Sequence, residues 1–374
     1  MANPFHLSGY TTAEYFCNRE LEKGRLISSI QNNRNTTLFA QRRIGKTGLI
    51  LHLFNHLEED KNTKCFYVDI MPTLKLADFV NAFGKEILGK LDKNPIRIIK
   101  KAKKIFSFLR PQLSLDPTTG EPSVQLNIEK EQDARYTLDE IFSYLHTHSQ
   151  EHKIVIAIDE FQQINQYPED NIEGLLRSKI QLLNNVSFIF SGSQKHILIN
   201  MFADNSRPFY QSTEMMELTK IEKKHYLNFI LYHFDKNNCK ISIETATLIL
   251  DFTFNHTYFV QFLCNRLYGS RIKIIDKETV KTQVNAILQE NATIYYGYQS
   301  LLTLPQWKLL TAIARASGAS EIQSKKFVQK NDLGSSSNVN RSLNSLIEKD
   351  MIYQENNLYY LNDAFLSRWL EWYH

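Results

Sequence analysis

The stretch Leu38-Phe39-Ala40-Gln41-Arg42-Arg43-Ile44-Gly45-Lys46-Thr47-Gly48-Leu49-Ile50 decides the fold. It reads as the end of an apolar strand, a tight loop closing on Gly-Lys-Thr, and the start of an apolar helix, which is the layout of a phosphate-binding loop. N–H groups of Gln41, Arg42, Arg43, Ile44, Gly45 and Gly48, in the loop and first helical turn, are placed to line an anion. Lys46 brings a positive charge to β- and γ-phosphates, and Thr47 offers a hydroxyl to Mg²⁺. The usual pattern is G-x-x-x-x-G-K-S/T, and Ala40 stands at its first glycine. Alanine serves there provided its φ is negative.

Working outward, Ala13 to Asn32 reads as a helix with Leu21, Ile27 and Ile30 on its apolar face. Phe16 and Cys17 stand where similar P-loop ATPases hold an adenine ring, or else they belong to an ordinary capped amphipathic helix. Lys64 to Ile70 is a second strand, and Asp69 at its end either touches a ligand or caps the next turn; the turn is favoured. Lys100 to Lys104 holds four lysines in five positions and reads as a solvated helix face. Alternating Leu113/Leu115 and Val124/Leu126/Ile128 around Asp116 to Pro122 signal a hairpin, an insertion of about residues 108–130 in an α/β pattern.

The second chemical motif is His152-Lys153-Ile154-Val155-Ile156-Ala157-Ile158-Asp159-Glu160-Phe161. Its continuous apolar run fits a parallel strand covered on both faces, and ligands bind at the carboxyl ends of such strands. Asp159 is placed to hold Mg²⁺, and Glu160 to orient and polarise an attacking water. The second acid is what favours hydrolysis over binding alone. The loop lysine and this acid pair are expected to converge across neighbouring strand ends. A further buried strand, Val186 to Gln194, ends in small polar residues, so Ser191, Ser193 and Gln194 are candidates for contact with a γ-phosphate or the water. Arg207, in an extended segment before Pro208, either serves as an arginine finger or pairs with a surface acid.

From Thr219 the pattern is helical, with Glu222 to Phe234, Ile243 to Phe254 and Tyr258 to Tyr268 as three helices and no strand between them. His256 lies near a nucleotide or is satisfied locally in its turn. Thr279 to Leu301 reads as one long helix. From Leu304 come a helix starting at Pro305, a short helix over Ser324 to Asn331, a third over Ser335 to Lys349 with Val339, Leu343, Leu346 and Ile347 inward, and a hairpin over Met351 to Leu361. This is a winged helix-turn-helix. Its third helix carries Ser336, Asn338, Asn340, Arg341, Asn344 and Lys349, a thin basic footprint for DNA, and such modules also bind proteins. The closing amphipathic helix, Ala364 to Trp372, reads as core or interface.

Composition fits this organisation. The chain has 374 residues with 43% hydrophobic and 22% charged, and its 18 Tyr and 23 Phe speak against extended disorder. A net charge of +4 points to no class of partner. The scattered Cys17, Cys65, Cys239 and Cys264 form no C-x-x-C pair, which speaks against zinc or redox motifs and fits a reducing compartment. No run of about 18 apolar residues and no secretory layout is visible, so a cytoplasmic location without a membrane partner is expected.

These motifs together resemble the archaeal-type AAA ATPases, close to the STAND and MNS branch of AAA+ proteins, over nearly the whole chain. The resemblance rests on Phe16 to Glu22, Arg42-Arg43-Ile44-Gly45-Lys46-Thr47, Ile158-Asp159-Glu160-Phe161, Phe190-Ser191-Gly192-Ser193, Arg207-Pro208-Phe209-Tyr210 and the winged segment Leu304 to Trp369. It implies an α/β P-loop NTPase core with a parallel sheet over residues 1–218, a helical lid over 219–300 and a winged helix over 301–374. By this resemblance Lys46, Thr47, Asp159 and Glu160 serve ATP, Mg²⁺ and catalysis. Ala40 and Gln41 depart from the frequent Gly-Pro, and Thr257 replaces a proline common after the lid histidine. The implied activity is an ATPase switch, with a nucleotide-gated DNA-binding regulator or a non-hydrolysing ATP-bound scaffold as rivals. A protein or DNA partner on the winged helix and a homo-oligomer are the implied assemblies.

Overall fold

The apolar runs that end at Phe39, Asp69, Asp159 and Gly192 become strands of one parallel sheet. In the computed structural model, which describes residues 3–7, 9–91, 112–115, 122–125, 128 and 130–374, the strands are β1 (Thr36–Phe39), β2 (Thr63–Asp69), β3 (Gln112–Leu115), β4 (Pro122–Gln125), β5 (Lys153–Asp159), β6 (Val186–Gly192) and β7 (Glu214–Glu217). The sheet order is β2-β5-β6-β1-β7, with every pairing parallel. β1 and β6 are buried at every residue, as a strand covered on both faces must be. Helices Lys46–Leu57, Leu76–Leu91, Glu131–His148, Ile172–Ile180 and Lys195–Ala203 supply the crossovers. β3 and β4 pair antiparallel as the expected hairpin, Leu113 opposite Val124. The lysine run at 100–104 and the hairpin's loop lie outside the described residues.

The chain divides into two units: the described residues of 19–41 and 45–219, and those of 1–18, 42–44 and 220–374. The first contains the sheet. Its core includes a ring cluster in which Phe161 meets Phe190 at 4.5 Å and Phe209 at 5.5 Å, and Phe202 meets Phe190 at 5.3 Å. Phe161, at 0% exposure, therefore pins the chain immediately after Glu160.

The second unit holds helices Lys223–Lys236, Ile243–Phe252, Thr257–Gly269 and Lys277–Glu290, then Ala292–Leu301. The winged helix follows as Leu304–Arg315, Lys325–Lys330, Ser336–Glu348, the hairpin β10 (Ile352–Glu355) and β11 (Leu358–Leu361), and Ala364–Tyr373. A Thr303/Gln306 capping box and Pro305 start its first helix. These helices and the winged helix share one hydrophobic core, running from Phe5 and Tyr226 through Leu263 and Ile287 to Leu310, Leu346 and Trp369. All four cysteines are buried and stand outside disulfides.

Several expectations are corrected. β6 lies between β1 and β5, so the loop and the acid pair are not at neighbouring strand ends. The first long helix begins at Glu20 rather than Ala13, because Asn18 and Arg19 take left-handed φ values of 58° and 78°. Arg19 is held there by bonds to Glu22 and to the Thr219 carbonyl, at 2.8 and 2.7 Å. Leu21 is 83% exposed, and Leu26, Ser29 and Ile30 form the buried face instead. A two-residue strand β8 (Lys240–Ile241) stands between helices Lys223–Lys236 and Ile243–Phe252 and pairs with β9 (Ile274–Ile275). The expected helix over Thr279 to Leu301 is two, divided at Asn291, whose side chain bonds back to the Ile287 carbonyl at 2.8 Å. Ile347 is 39% exposed and not part of the inner face.

Candidate functional site

The loop is shaped by two left-handed residues, Arg43 at φ 60° and Gly45 at φ 104°. Gly45 is the residue before the helix Lys46–Leu57 and accepts the Leu49 N–H at 2.9 Å. At φ 104° only glycine is unstrained. Ala40 is absent from the positive-φ residues, so alanine is compatible with the first position of the loop. Lys46 is 7% exposed at the start of its helix, where N–H groups lack intrahelical partners.

Although β6 separates their strands, the loop and the aspartate meet. Thr47 Oγ1 donates to Asp159 Oδ2 at 2.8 Å. The same oxygen accepts from the Tyr67 hydroxyl at 2.6 Å. Asp159 Oδ1 accepts from Ser191 Oγ and from the Glu160 N–H, the latter at 3.0 Å. Burial opposes the charge on Asp159, but donation from Ser191 and Tyr67, the Lys46 ammonium and donation from Thr47 outweigh it and hold the carboxyl below its ordinary range. Burial and the neighbouring Asp159 carboxylate push the Tyr67 hydroxyl well above the usual tyrosine value, so it is a donor.

Glu160 takes a left-handed backbone, φ 54° and ψ 42°, at the turn from β5 into a 3₁₀ segment, Phe161–Gln166. Its Oε2 accepts from Ser193 Oγ at 2.9 Å, from Ser193 N–H at 3.3 Å and from Gln162 Nε2 at 2.5 Å. The Ser191-Gly192-Ser193 end of β6 thus serves both acids, Ser191 holding Asp159 and Ser193 holding Glu160. Gln194 starts the helix Lys195–Ala203 and accepts the N–H groups of Ile197 and Leu198. Asp69 lies opposite Asp159 in the β2–β5 register and accepts the Met71 N–H at 2.9 Å, the local turn contact. Burial, with Asp159 and Glu160 nearby, raises its carboxyl above the usual range.

Other candidates sit elsewhere. Arg207 is ion-paired with Glu173 and donates to Asn165 Oδ1 at 2.7 Å. Arg42 pairs with Asp350 at 2.9 Å, and the Arg43 guanidinium lies 4.5 Å over the Tyr258 ring. His256 bonds through Nε2 to the Arg42 carbonyl at 3.1 Å. Phe16 meets Tyr10 edge-on at 5.8 Å, and Cys17 joins the core of the second unit. Gln41 is half-buried at the loop's start. Tyr67 and Gln162 were not identified from the sequence: a tyrosine in a strand reads as packing, and a glutamine after two acids carries no pattern.

The donor set fits a hard cation. Thr47 and Asp159 present oxygen atoms on two elements that already touch, beside the Lys46 charge. Among the described residues no group of three or more His, Cys, Asp or Glu is placed to hold a metal, so phosphate and water oxygens would have to supply the other ligands. No helix among the described residues is long and apolar enough to cross a membrane.

Comparison with known proteins agrees with this geometry. A model of an ATPase domain found predominantly in Archaea matches residues 16–253, more than half of the chain, and a winged helix domain model matches residues 293–372. Comparison with curated proteins gives no match. Among solved structures, a Walker-type ATPase of Pyrococcus abyssi superposes with a TM-score of 0.68 at 16% identity, covering 98% of this chain and 99% of that one. The ORC2 protein of Aeropyrum pernix, in ADPNP–ADP complexes, gives 0.60 at 12% identity, covering 99% and 96%. Both likenesses are of fold. With the Lys46 loop, the paired acids and the parallel sheet inside the matched region, the chain belongs to the family of ATPase domains found predominantly in Archaea, followed by a winged helix domain.

Proposed function

We propose that this chain binds ATP with Mg²⁺ and hydrolyses it slowly, as a switch. The observation that carries this reading is the 2.8 Å bond between Thr47 and Asp159, which brings the two motifs together despite the strand between them. Lys46 and the N–H groups of the loop and first helical turn would hold the β- and γ-phosphates. Thr47 and Asp159 would hold Mg²⁺, which when bound neutralises charge on those phosphates. Glu160 orients a water and takes its proton as the water oxygen bonds to the γ-phosphorus and the bond to ADP breaks. Ser193 keeps the Glu160 carboxylate in place. Arg207 serves a γ-phosphate, in its own or a neighbouring subunit, only after leaving Glu173.

The switch acts on the second unit. Residues 42–44 belong to that unit, where Arg42 meets Asp350 and His256 and Arg43 meets Tyr258. Because the lid and winged helix share a core, they respond together. Phe16 and Cys17 are the proposed adenine neighbours. The exposed face of helix Ser336–Glu348 is the proposed partner surface, with Arg341 as its cation. The test is Lys46→Ala with labelled ATP: the account expects binding to weaken by about 100-fold, the loss of a charge-assisted phosphate contact. A variant that binds and hydrolyses ATP as the parent does overturns it.

A further inference from the structure

Gln162 sits in the 3₁₀ turn after Glu160 and is 4% exposed. Its Nε2 donates to Glu160 Oε2, while its Oε1 is buried with no hydrogen-bond partner among the described residues. A buried carbonyl oxygen without a donor is costly, and leucine or methionine would fill this volume without that cost. The one return visible for having an amide here is the bond to Glu160. The neighbouring strand makes room for it. A Cβ built on Gly192 would lie 2.0 Å from Gln162 Oε1, 2.9 Å from Leu198 Cδ1 and 3.1 Å from Gln162 Cδ, so a side chain at 192 displaces the carboxamide and crowds Leu198. Phe161, locked into its ring cluster, fixes the backbone from which Gln162 reaches back.

We propose that Gln162 is a positioning residue for Glu160, and that glycine at 192 leaves the room that the Gln162 carboxamide occupies. The proposal rests on the hydrolytic reading of Glu160. Gln162 and Ser193 converge on Oε2 and tie it down, so that Oε1 is the oxygen left for the attacking water. Neither residue needs to touch nucleotide. With Gln162 gone, Ser193 alone holds a carboxylate on a freely rotating stem, and the fraction of time it addresses the water falls.

The test uses the full chain in single-turnover ATP hydrolysis, with ATP affinity measured in parallel. Gln162→Leu is expected to slow hydrolysis about tenfold or more with affinity unchanged within about twofold, a split that loss of folding would not give. In a Glu160→Gln background the same change should cost nothing further. Gly192→Ala should lower both the melting midpoint and the rate, and adding Gln162→Ala should restore part of the midpoint but none of the rate. A measurement independent of turnover settles the geometry: the Gln162 side-chain NH₂ signals, in protein labelled on glutamine nitrogen, should be protected from exchange and lose that protection in Glu160→Ala. Hydrolysis by Gln162→Leu at the parent rate while Glu160→Gln is dead overturns the proposal, as do NH₂ signals indifferent to Glu160→Ala. If the parent itself shows no turnover, the hydrolytic reading falls, and the NH₂ protection alone decides whether Gln162 tethers Glu160.

Discussion

Replacing Tyr67 by phenylalanine removes one oxygen and leaves the ring in place, which makes it a clean probe of how Asp159 is held. Tyr67 donates to Asp159 Oδ2 at 2.6 Å, and the carboxylate is 4% exposed. A hydrogen bond to a charged acceptor contributes about 1.5–3 kcal/mol. Asp159 keeps Thr47, Ser191 and its neighbour's N–H, so it is not orphaned, and the lower half of that range, about 1.5–2 kcal/mol, is expected. With a urea m-value of about 2–3 kcal/mol/M, the far-UV CD midpoint should fall by about 0.5–1 M at pH 7. The pH dependence has a definite sign. The folded carboxyl of Asp159 lies below its unfolded value, so its contribution is present above the unfolded pKa of about 3.9 and is lost as pH falls through the folded one. The gap between parent and Tyr67→Phe should therefore be full at pH 7 and close below the carboxylate range. A gap under about 0.5 kcal/mol at pH 7, within the scatter of surface substitutions, or one that widens on acidification, refutes the reasoning.

Two further predictions concern groups outside the acid pair. Burial, with help from the Lys220 charge, pushes the His256 imidazole down to about 4, so the fold refuses a proton that the unfolded chain accepts below about 6.5. Stability should fall by about 3 kcal/mol as pH drops from 6.5 to 4 on this account alone, and His256→Gln should flatten that decline in urea midpoints; an equal decline in both proteins counts against a buried neutral imidazole. Arg207→Ala should cost about 2 kcal/mol, since the Glu173 side chain left behind is 11% exposed. Glu173→Gln should cost a similar amount, and the double variant less than the sum; strict additivity would mean that the two residues do not interact.

What the sequence made legible was the chemistry carried by period and motif. The apolar runs ending at Phe39, Asp159 and Gly192 identify buried parallel strands, and the lysine and the acids follow from their positions at strand ends. Strand order is a different matter: nothing in residues 36–39 or 153–159 tells that β6 inserts between them, yet Thr47 still reaches Asp159. Backbone conformation also hides. Asn18 and Arg19 carry positive φ without a glycine to announce it, so the helix start was misplaced. β7 escaped because Glu214 and Glu217 flank only two methionines, and its pairing with β1 is a tertiary fact. Leu21 and Ile347 fit the helical period but face solvent, since periodicity marks where a neighbour would pack without supplying one. Tyr67 and Gln162 matter through contacts made across strands or back over a turn, which spacing along the chain does not encode.

The most direct measurement is single-turnover hydrolysis of γ-labelled ATP by the parent and by Glu160→Gln, with ATP binding followed on the same samples. The account predicts that Glu160→Gln binds ATP about as well as the parent and releases phosphate at least about 100-fold more slowly, the scale of a lost general base. Equal phosphate release by the two proteins would contradict it.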